Sequence, residues 1–274
     1  MSAGARALNG LLDSKVIVIT GAAGGIGAAA ATYFVEQGAA RVLTDLRKSS
    51  VEEVAQRLTH QGFHVISVPA DLRLERDVEQ LFDTAAQHFG RLDGAFCNAG
   101  VGYPQDILET DAEAFDAVMS SNTRSVFLCC KHSFRHMRKN RSGSLVLTSS
   151  RLAVAAYSNM VPYAASKGAI LSMARALAVD FGPDGIRVNA VLPGVTETPM
   201  LMKEIETSLD PAQTRACFER QTLLGGIARP SDIAAAAAFL LSECARFITG
   251  TSLVVDGGCL ARLFEGPGYD SRGK

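Results

Sequence analysis

The sequence lacks several features that would place the protein in a specialised class. Its 27 basic and 28 acidic residues nearly cancel, so no excess of one charge attracts a nucleic acid or an anionic membrane. No apolar run of 18 residues is free of charge, and the first fifteen residues contain no apolar core of signal-peptide length. We therefore expect a cytoplasmic protein with no nucleic-acid partner and no membrane partner.

The sequence also lacks a cysteine framework and a segment that would divide it into domains. The six cysteines include no C-x-x-C pair, which favours reduced, mostly buried thiols over disulfides. No stretch rich in Pro, Ser or charge interrupts the 274 residues, of which 47% are hydrophobic and 20% charged. A single globular domain spanning 1–274 is predicted.

Short β-rich runs alternate with segments of helical period, which is typical of a parallel sheet covered on both faces. The pattern predicts an α/β fold, a Rossmann-like, doubly wound, seven-stranded parallel sheet with helices on both faces. The predicted strands are 15–20, 41–45, 63–69, 92–98, 144–149, 186–191 and 252–256. The predicted helices are 25–37, 51–61, 74–89, 112–139, 162–181 and 231–241. Residues 14–150 would form a cofactor half and residues 151–258 a catalytic and substrate half.

The alternation stops in segment 195–226, which is polar and helical in character. An insertion after the carboxyl end of a strand is where a lid over a site would lie. A surface helix with no gating role explains the same pattern equally well, so both interpretations stay open.

A glycine-rich turn joins the first strand to the first helix and includes Gly21, Gly25 and Gly27. Backbone N–H groups and the helix dipole at such a turn can receive a pyrophosphate. An ordinary tight turn is the alternative, although it seldom needs four glycines in seven residues. Asp45 ends the second strand, where a carboxylate can bind an adenosine ribose and repel a 2'-phosphate. NAD is therefore favoured over NADP, although Arg47 and the lysine after it could instead approach a phosphate.

Tyr163 and Lys167 are four residues apart in a predicted helix, and Ser150 lies thirteen residues before Tyr163. An ammonium beside a phenol favours the ionised form and so makes the phenol a usable acid and base. Ser150 can donate a hydrogen bond to a carbonyl oxygen. Each residue alone has an ordinary explanation, but Tyr157 has no cation four residues on, and Ser149 would face the other side of its strand. The set predicts hydride transfer between a nicotinamide and a secondary alcohol or ketone.

Four motifs in this order and spacing make the chain resemble the short-chain dehydrogenase/reductase family over nearly its whole length. The family's TGxxxGxG, NAG, YxxxK and PG motifs correspond to Thr20, Gly21, Gly25, Ile26 and Gly27; Asn98, Ala99 and Gly100; Tyr163 and Lys167; and Pro193 and Gly194. The segment around Asn122 departs modestly from the family, because Thr123 stands where the family often has Val.

The resemblance implies roles that the residues alone do not show. Asn122 would complete a catalytic tetrad by holding a proton-relay water, and Lys167 would also bind the nicotinamide ribose. Asn98 would steady the central sheet beside the cofactor. The adenine and nicotinamide ends of the cofactor would be contacted by Asp71 and Leu72, and by Thr196 and Thr198. A homotetramer formed through helices 112–139 and 162–181, with the last strand at a second interface, is also implied.

An apolar wall is predicted beside the catalytic residues and favours a hydrophobic or ring-shaped alcohol. Its members are Tyr103, Tyr157, Met160 and Met200. Arg151 follows Ser150 and could pair with a carboxylate or phosphate of the substrate, or could be an ordinary surface arginine.

The sequence offers one tempting metal site and two competing functions. Cys129, Cys130, His132 and His136 fall within eight residues, but neighbouring basic residues favour a solvated helix face, so no metal is predicted. An NADPH-linked 3-oxoacyl thioester reductase would need the same catalytic residues. A non-catalytic NAD-binding sensor or scaffold would need only the fold.

Overall fold

A computed structural model describes residues 10–262 and shows a seven-stranded, wholly parallel sheet. The strand order is β3-β2-β1-β4-β5-β6-β7, so the chain winds outward from β1 in one direction and then from β4 in the other. The strands are β1 (Val16–Thr20), β2 (Ala40–Thr44), β3 (Val65–Ser67), β4 (Gly94–Cys97), β5 (Gly143–Thr148), β6 (Ile186–Pro193) and β7 (Ser252–Val255). The predicted doubly wound fold is confirmed.

Helices cover both faces of the sheet. They are α1 (Gly25–Glu36), α2 (Lys48–His60), α3 (Glu75–Phe89), α4 (Ala112–Met119), α5 (Ser125–Asn140), α6 (Val161–Phe181), α7 (Pro199–Glu206), α8 (Pro211–Arg220) and α9 (Pro230–Leu241). Within residues 10–262, no helix is long and apolar enough to cross a bilayer.

The central strands are buried on both faces because the helices leave neither side to solvent. Strand β1 reads Val-Ile-Val-Ile-Thr, and all five residues are buried. Its alternate side chains enter two separate cores, with Val18 in one and Ile17 and Ile19 in the other. Continuous apolar runs rather than alternating ones therefore mark the strands of this sheet.

One predicted helix is interrupted in the structure. The predicted helix 112–139 is α4, a π-helical turn at Ser120–Arg124, and α5. The turn places the side chain of Asn122 fully inside the molecule, and single π-helical turns within helices often lie at functional sites. An insertion of this kind leaves no mark in hydrophobic periodicity, so the sequence did not predict it.

The segment after β6 contains the short helices α7 and α8 in place of one irregular insertion. Thr198 and Asp210 cap them, since each side chain accepts a hydrogen bond from a backbone N–H of the first turn. Pro199 and Pro211 follow the caps, where their fixed φ suits a helix start. The helical character predicted for segment 195–226 is present.

Alanine contacts hold α1 and α9 together on one face of the sheet. The two helices pack against each other, and a shared core cluster includes Ala30, Ala31, Ala234, Ala237 and Ala238. The alanines of α9 therefore pack against a helix as well as against the sheet.

A larger side chain at this contact should destabilise the fold. We expect Ala237→Leu to lower the free energy of unfolding by about 1–3 kcal/mol, because the added atoms have no space in a close-packed core. Chemical denaturation would measure the change. Ala235→Leu is the control, because Ala235 is only half-buried, and equal losses for both variants would contradict the close packing.

Candidate active site

The turn between β1 and α1 is shaped so that an anion can approach its backbone. Gly21 and Gly25 have φ of +67° and +49°, and a Cβ on Gly27 would overlap the carbonyl oxygen of Gly21. Gly24 caps α1 without a side-chain hydrogen bond, so no side chain of the cap satisfies the first N–H groups of the helix. These groups and the glycine backbone suit a pyrophosphate.

Asp45 lies beside this turn, one residue beyond the end of β2. Its carboxylate accepts hydrogen bonds from the backbone N–H groups of Ala23 (3.1 Å) and Arg47 (3.2 Å). The Nε of Arg47 lies 3.6 Å from Oδ1 of Asp45, and its Nη2 lies 3.5 Å from the point where a Cβ on Gly24 would be. Arg47 therefore extends over the turn, whereas Lys48 lies 3.9 Å from Glu52 on its own helix.

Thr20 and Asn98 join β1 to β4 at the carboxyl edge of the sheet. The hydroxyl of Thr20 accepts from the backbone N–H groups of Asn98 (2.9 Å) and Ala99 (3.0 Å), and Asn98 Nδ2 donates to the carbonyl of Thr20 (3.2 Å). Asn98 Nδ2 also lies close to the Cβ positions of Gly21 and Gly27. This link holds the glycine turn at the point where the strand order reverses.

Asp71 and Leu72, predicted to contact adenine, lie beyond β3 near the same edge. Hydrogen bonds from Arg73 lower the pKa of Asp71, and the closest contact between these two side chains is 2.7 Å. Leu72 is buried in the core. The Asp71 carboxylate is therefore held in a fixed position.

Ser150, Tyr163 and Lys167 come together where β5 ends and α6 begins. Ser150 caps the turn after β5 by accepting from the N–H of Leu152 (3.1 Å), and its hydroxyl is hydrogen-bonded to that of Tyr163. The Nζ of Lys167 donates to the carbonyl of Thr148 (2.9 Å) and lies 5.7 Å from the centre of the Tyr163 ring. The three predicted residues share one site.

Burial controls the ionisation of both groups. It lowers the pKa of Lys167 to about 8, because a buried ammonium loses its hydration. It also raises the pKa of Tyr163 above its ordinary value, although the hydrogen bond with Ser150 opposes this shift. The sequence predicted the opposite direction for Tyr163. The loss of hydration at the partly buried phenol outweighs the charge-stabilising contacts in this structure.

Asn122 lies against the same site from the π-helical turn. Its Oδ1 accepts from the backbone N–H of Val101 (2.8 Å), and its Nδ2 donates to the carbonyl of Val101 and the hydroxyl of Ser166 (both 3.0 Å). A Cβ on Gly100 would lie 3.1 Å from Oδ1 of Asn122 and 3.2 Å from Nζ of Lys167. A glycine at this position therefore leaves space between the two polar groups.

Comparison with known proteins shows the family of the chain. A family model described as enoyl-(acyl carrier protein) reductase matches residues 21–259. Cis-4-hydroxycyclohexanecarboxylate dehydrogenase of Sinomonas cyclohexanicum is 40% identical over 248 residues, 90% of this chain and 97% of the relative. Meso-2,3-butanediol dehydrogenase of Serratia marcescens is 36% identical over 249 residues, 91% of this chain and 96% of the relative. The crystal structure of levodione reductase matches with a TM-score of 0.86 and 32% identity, over 92% of this chain and 100% of that one.

The chain belongs to the short-chain dehydrogenase/reductase family. The sequence-based prediction of an alcohol dehydrogenase or reductase is thereby confirmed at the level of the family. Particular residues around these shared elements determine which nicotinamide cofactor and which alcohol a short-chain dehydrogenase/reductase uses.

The segment after β6 lies against the glycine turn of this short-chain dehydrogenase/reductase. Pro193 ends β6 beside β7, and the N–H of Gly194 donates to the carbonyl of Val255 (2.9 Å). A Cβ on Gly25 would lie 2.9 Å from Cγ2 of Thr198, so Thr198 faces the turn. Thr196 instead bonds the carbonyl of Gly194 and forms a bridge with Ala228.

The structure brings the predicted substrate residues together only in part. Met200 approaches the loop that contains Tyr103, since its sulfur lies 3.2 Å from the Cβ position of Gly102. Met160 caps the start of α6, and Tyr157 donates from its hydroxyl to Gln221 (2.7 Å). Arg151 is buried, with 4% of its surface exposed, so its interpretation as an ordinary surface arginine is wrong.

The histidine cluster on α5 packs against acidic residues of α3 rather than forming a solvated basic face. His132 is buried and lies 3.3 Å from Glu75, which Lys131 also contacts. His136 bonds Asp83 at 2.9 Å. The acidic partners come from α3, fifty or more residues earlier in the chain, which explains why the local pattern on α5 did not reveal them.

Three polar residues that contact predicted site residues were not predicted from the sequence. Ser166 accepts from Asn122, and its place three residues after Tyr163, on the same helix face, was a usable signal. Gln221 and Cys259 contact Arg151 across 70 and 108 residues, and no local pattern predicts such contacts.

Lys167 should make the stability of the protein depend on pH. An unfolded lysine keeps its pKa near 10.5, whereas burial lowers the pKa of Lys167 to about 8, so the unfolded state binds more protons between these values. The free energy of unfolding therefore rises with pH across this window. We expect Lys167→Met to be more stable than the wild type at pH 7 by about 1–3 kcal/mol, and this advantage to shrink towards pH 10.

Denaturation at several pH values would measure this difference. Lys203→Met, which removes an exposed lysine, should show no such pH dependence. An advantage of Lys167→Met that stays constant up to pH 10 would show that the buried charge is not its cause.

Proposed function

We propose that this protein is an NAD(H)-dependent oxidoreductase that interconverts a secondary alcohol and its ketone. The observation that carries the proposal is the joint position of Ser150, Tyr163 and Lys167 at the carboxyl edge of the sheet, beside a glycine turn suited to a pyrophosphate. Relatives named for a hydroxycyclohexanecarboxylate and a butanediol are both alcohol dehydrogenases. A ring-shaped or otherwise hydrophobic alcohol suits the neighbouring Met160, Met200 and Tyr103.

Tyr163 acts as the acid and base of the reaction. Its ionised oxygen removes the proton of the alcohol hydroxyl. The carbon that bears this hydroxyl loses its hydrogen as a hydride, so a ketone forms. NAD, when bound, supplies the acceptor for that hydride. In the reverse direction Tyr163 returns the proton to the carbonyl oxygen, and Ser150 donates a hydrogen bond to the same oxygen.

Lys167 supports the tyrosinate from the adjacent helical turn. A buried ammonium stabilises a nearby anion more strongly than an exposed one does, because little water screens the charge. We propose that it also donates to the nicotinamide ribose. Asn122 would hold the relay water in the space beside Gly100, where its Oδ1 and the Nζ of Lys167 both lie.

The cofactor would lie across the carboxyl edge of the sheet. Asp45 would accept from the adenosine ribose, and Asp71 and Leu72 would face the adenine. Pyrophosphate would meet the N–H groups of the glycine turn, with Ile26 in its first helical turn. The nicotinamide end would be held by residues around the central strands, namely Asn98, Ala99, Gly100, Pro193, Gly194, Thr196 and Thr198. Segment 195–226 would act as a lid, since Thr198 already touches the turn.

The surface and the thiols support a homotetramer in the cytoplasm. Exposed apolar side chains on α4, α5 and α6 include Phe115, Phe127 and Val179, and a homotetramer contact would cover them. All six cysteines are free, which agrees with a reducing cytoplasm.

Removing the phenolic hydroxyl should stop the reaction without removing the cofactor site. We expect Tyr163→Phe to lower kcat for every alcohol substrate at least about 100-fold, while NAD affinity changes only a few-fold. Steady-state kinetics and calorimetric titration with NAD would measure the two effects. Tyr33→Phe, on α1, is the matched control and should keep full turnover.

Undiminished turnover by Tyr163→Phe would exclude the mechanism. A wild type that binds NAD but oxidises no alcohol would instead indicate a sensor or scaffold.

Asp45 should determine the choice between NAD and NADP. We expect the wild type to prefer NAD, and Asp45→Ala to raise kcat/KM with NADP about tenfold or more, because a like charge no longer meets the 2'-phosphate. Adding Arg47→Ala should reverse part of that gain, since Arg47 lies over the same turn. Glu53→Ala, an exposed acid on α2, is the control. A wild type that prefers NADPH would instead favour the 3-oxoacyl thioester reductase.

A further inference from the structure

Arg151 is a buried cation that follows Ser150 directly. Its Nη1 donates to the sulfur of Cys259 (2.7 Å), its Nη2 donates to Oε1 of Gln221 (2.5 Å), and its guanidinium carbon lies 5.1 Å from the centre of the Tyr157 ring. These partners come from the segment after β7, the end of α8 and the loop before α6. Three separate parts of the substrate half therefore meet around one guanidinium.

The contacts of Arg151 are all with neutral groups. Among residues 10–262, no carboxylate lies within ion-pair distance of the guanidinium, whereas exposed arginines such as Arg73 and Arg135 pair with carboxylates. A guanidinium has five N–H groups, and the described side chains accept from two of them. A desolvated cation with only neutral partners destabilises a fold, and such departures from good packing are characteristic of functional sites.

We infer that Arg151 binds the substrate, and that the substrate is a secondary alcohol or ketone that carries a carboxylate on another part of its skeleton. This inference rests on the proposed function, because it concerns the substrate of the same site. Arg151 is a specificity-determining residue and takes no part in proton transfer.

The geometry favours a carboxylate over other anions. Gln221 Oε1 accepts from both Arg151 (2.5 Å) and the hydroxyl of Tyr157 (2.7 Å), so two donors already converge on one oxygen. A carboxylate oxygen can take that place with a full charge, and the second oxygen can use the remaining N–H groups of the planar fork. The contacts around Arg151 include no second cation from the described residues, which suits a single negative charge better than a phosphate dianion.

The position of the guanidinium also indicates where the substrate carboxylate lies relative to the reacting hydroxyl. Ser150 interacts with Tyr163, whereas Arg151 donates to Gln221 at the end of α8 and to Cys259 in the segment after β7. We therefore expect the carboxylate and the reacting hydroxyl on different carbons of the substrate, as in a ring substituted at two positions.

Matched substrates test the inference directly. The probes are 3- and 4-hydroxycyclohexanecarboxylates and the corresponding carboxamides, which have nearly the same shape and differ in charge. We expect the wild type to oxidise a carboxylate with a kcat/KM about 100-fold above that of its carboxamide, mainly through a lower KM. In Arg151→Met this ratio should fall to within about threefold of one, and Arg151→Lys, which keeps the charge and loses the fork, should lie between.

Arg220→Met provides the control for a general change in the electric field. Arg220 is exposed on α8 next to Gln221, so its removal should leave the ratio of the wild type intact. A wild-type ratio near one overturns the inference, and so does a ratio that survives in Arg151→Met. The wild-type measurement alone decides if Arg151→Met fails to fold.

A binding experiment separates failure of this inference from failure of the proposed function. Turnover of neutral alcohols with no advantage for carboxylates would overturn only the role of Arg151. Without turnover of any alcohol, calorimetric titration of the NAD-loaded protein with cyclohexanecarboxylate and cyclohexanecarboxamide still tests it. Preferential binding of the carboxylate by the wild type, lost in Arg151→Met, supports the inference, and equal binding of both probes overturns it.

Discussion

The buried ammonium of Lys167 is the constraint on which the arrangement of the site depends. Burying a cation without water costs free energy. The hydrogen bond from Lys167 to the carbonyl of Thr148 offsets only part of this cost, because the pKa of Lys167 is still lowered to about 8. An anion or polar oxygens brought close to the ammonium would reduce the remaining cost. Tyr163, held 5.7 Å from this charge by the turn of α6, is the group that can supply the anion. In the proposed mechanism, formation of a tyrosinate would offset part of the cost of burying the ammonium.

The two halves of the sheet are joined at the edge where the site lies. Parallel strands leave their carboxyl ends at one edge, and the order of this sheet reverses between β1 and β4. Thr20 and Asn98 bridge that point through three hydrogen bonds, so the glycine turn of the first half keeps its position relative to β4. On the other side, Asn122 ties the loop after β4 to α6 through Val101 and Ser166. Hydrogen bonds therefore link the glycine turn to β4, and the loop after β4 to α6.

The sequence predicted features whose residues are close along the chain, and it missed those that depend on distant residues. The strand and helix pattern, the glycine turn and the pair Tyr163 and Lys167 are local features, so spacing was enough to predict them. The interruption of α4 and α5 by a π-helical turn shifts periodicity too little to be detected, and the partners of Arg151 lie 70 and 108 residues away. The direction of the pKa shift at Tyr163 was missed for a related reason. It depends on how much water the whole fold excludes from the phenol, which no spacing of residues encodes.

Lys167 and Arg151 are both buried cations in the part of the molecule that contains Ser150, and in the proposed function they would have different roles. Lys167 would stabilise charge that appears on the phenol only during the proposed proton transfer, so its effect would fall on the rate. Arg151 faces the other way, towards α8 and the segment after β7, and a charge that it stabilises would be present on the substrate throughout, so its effect would fall on binding.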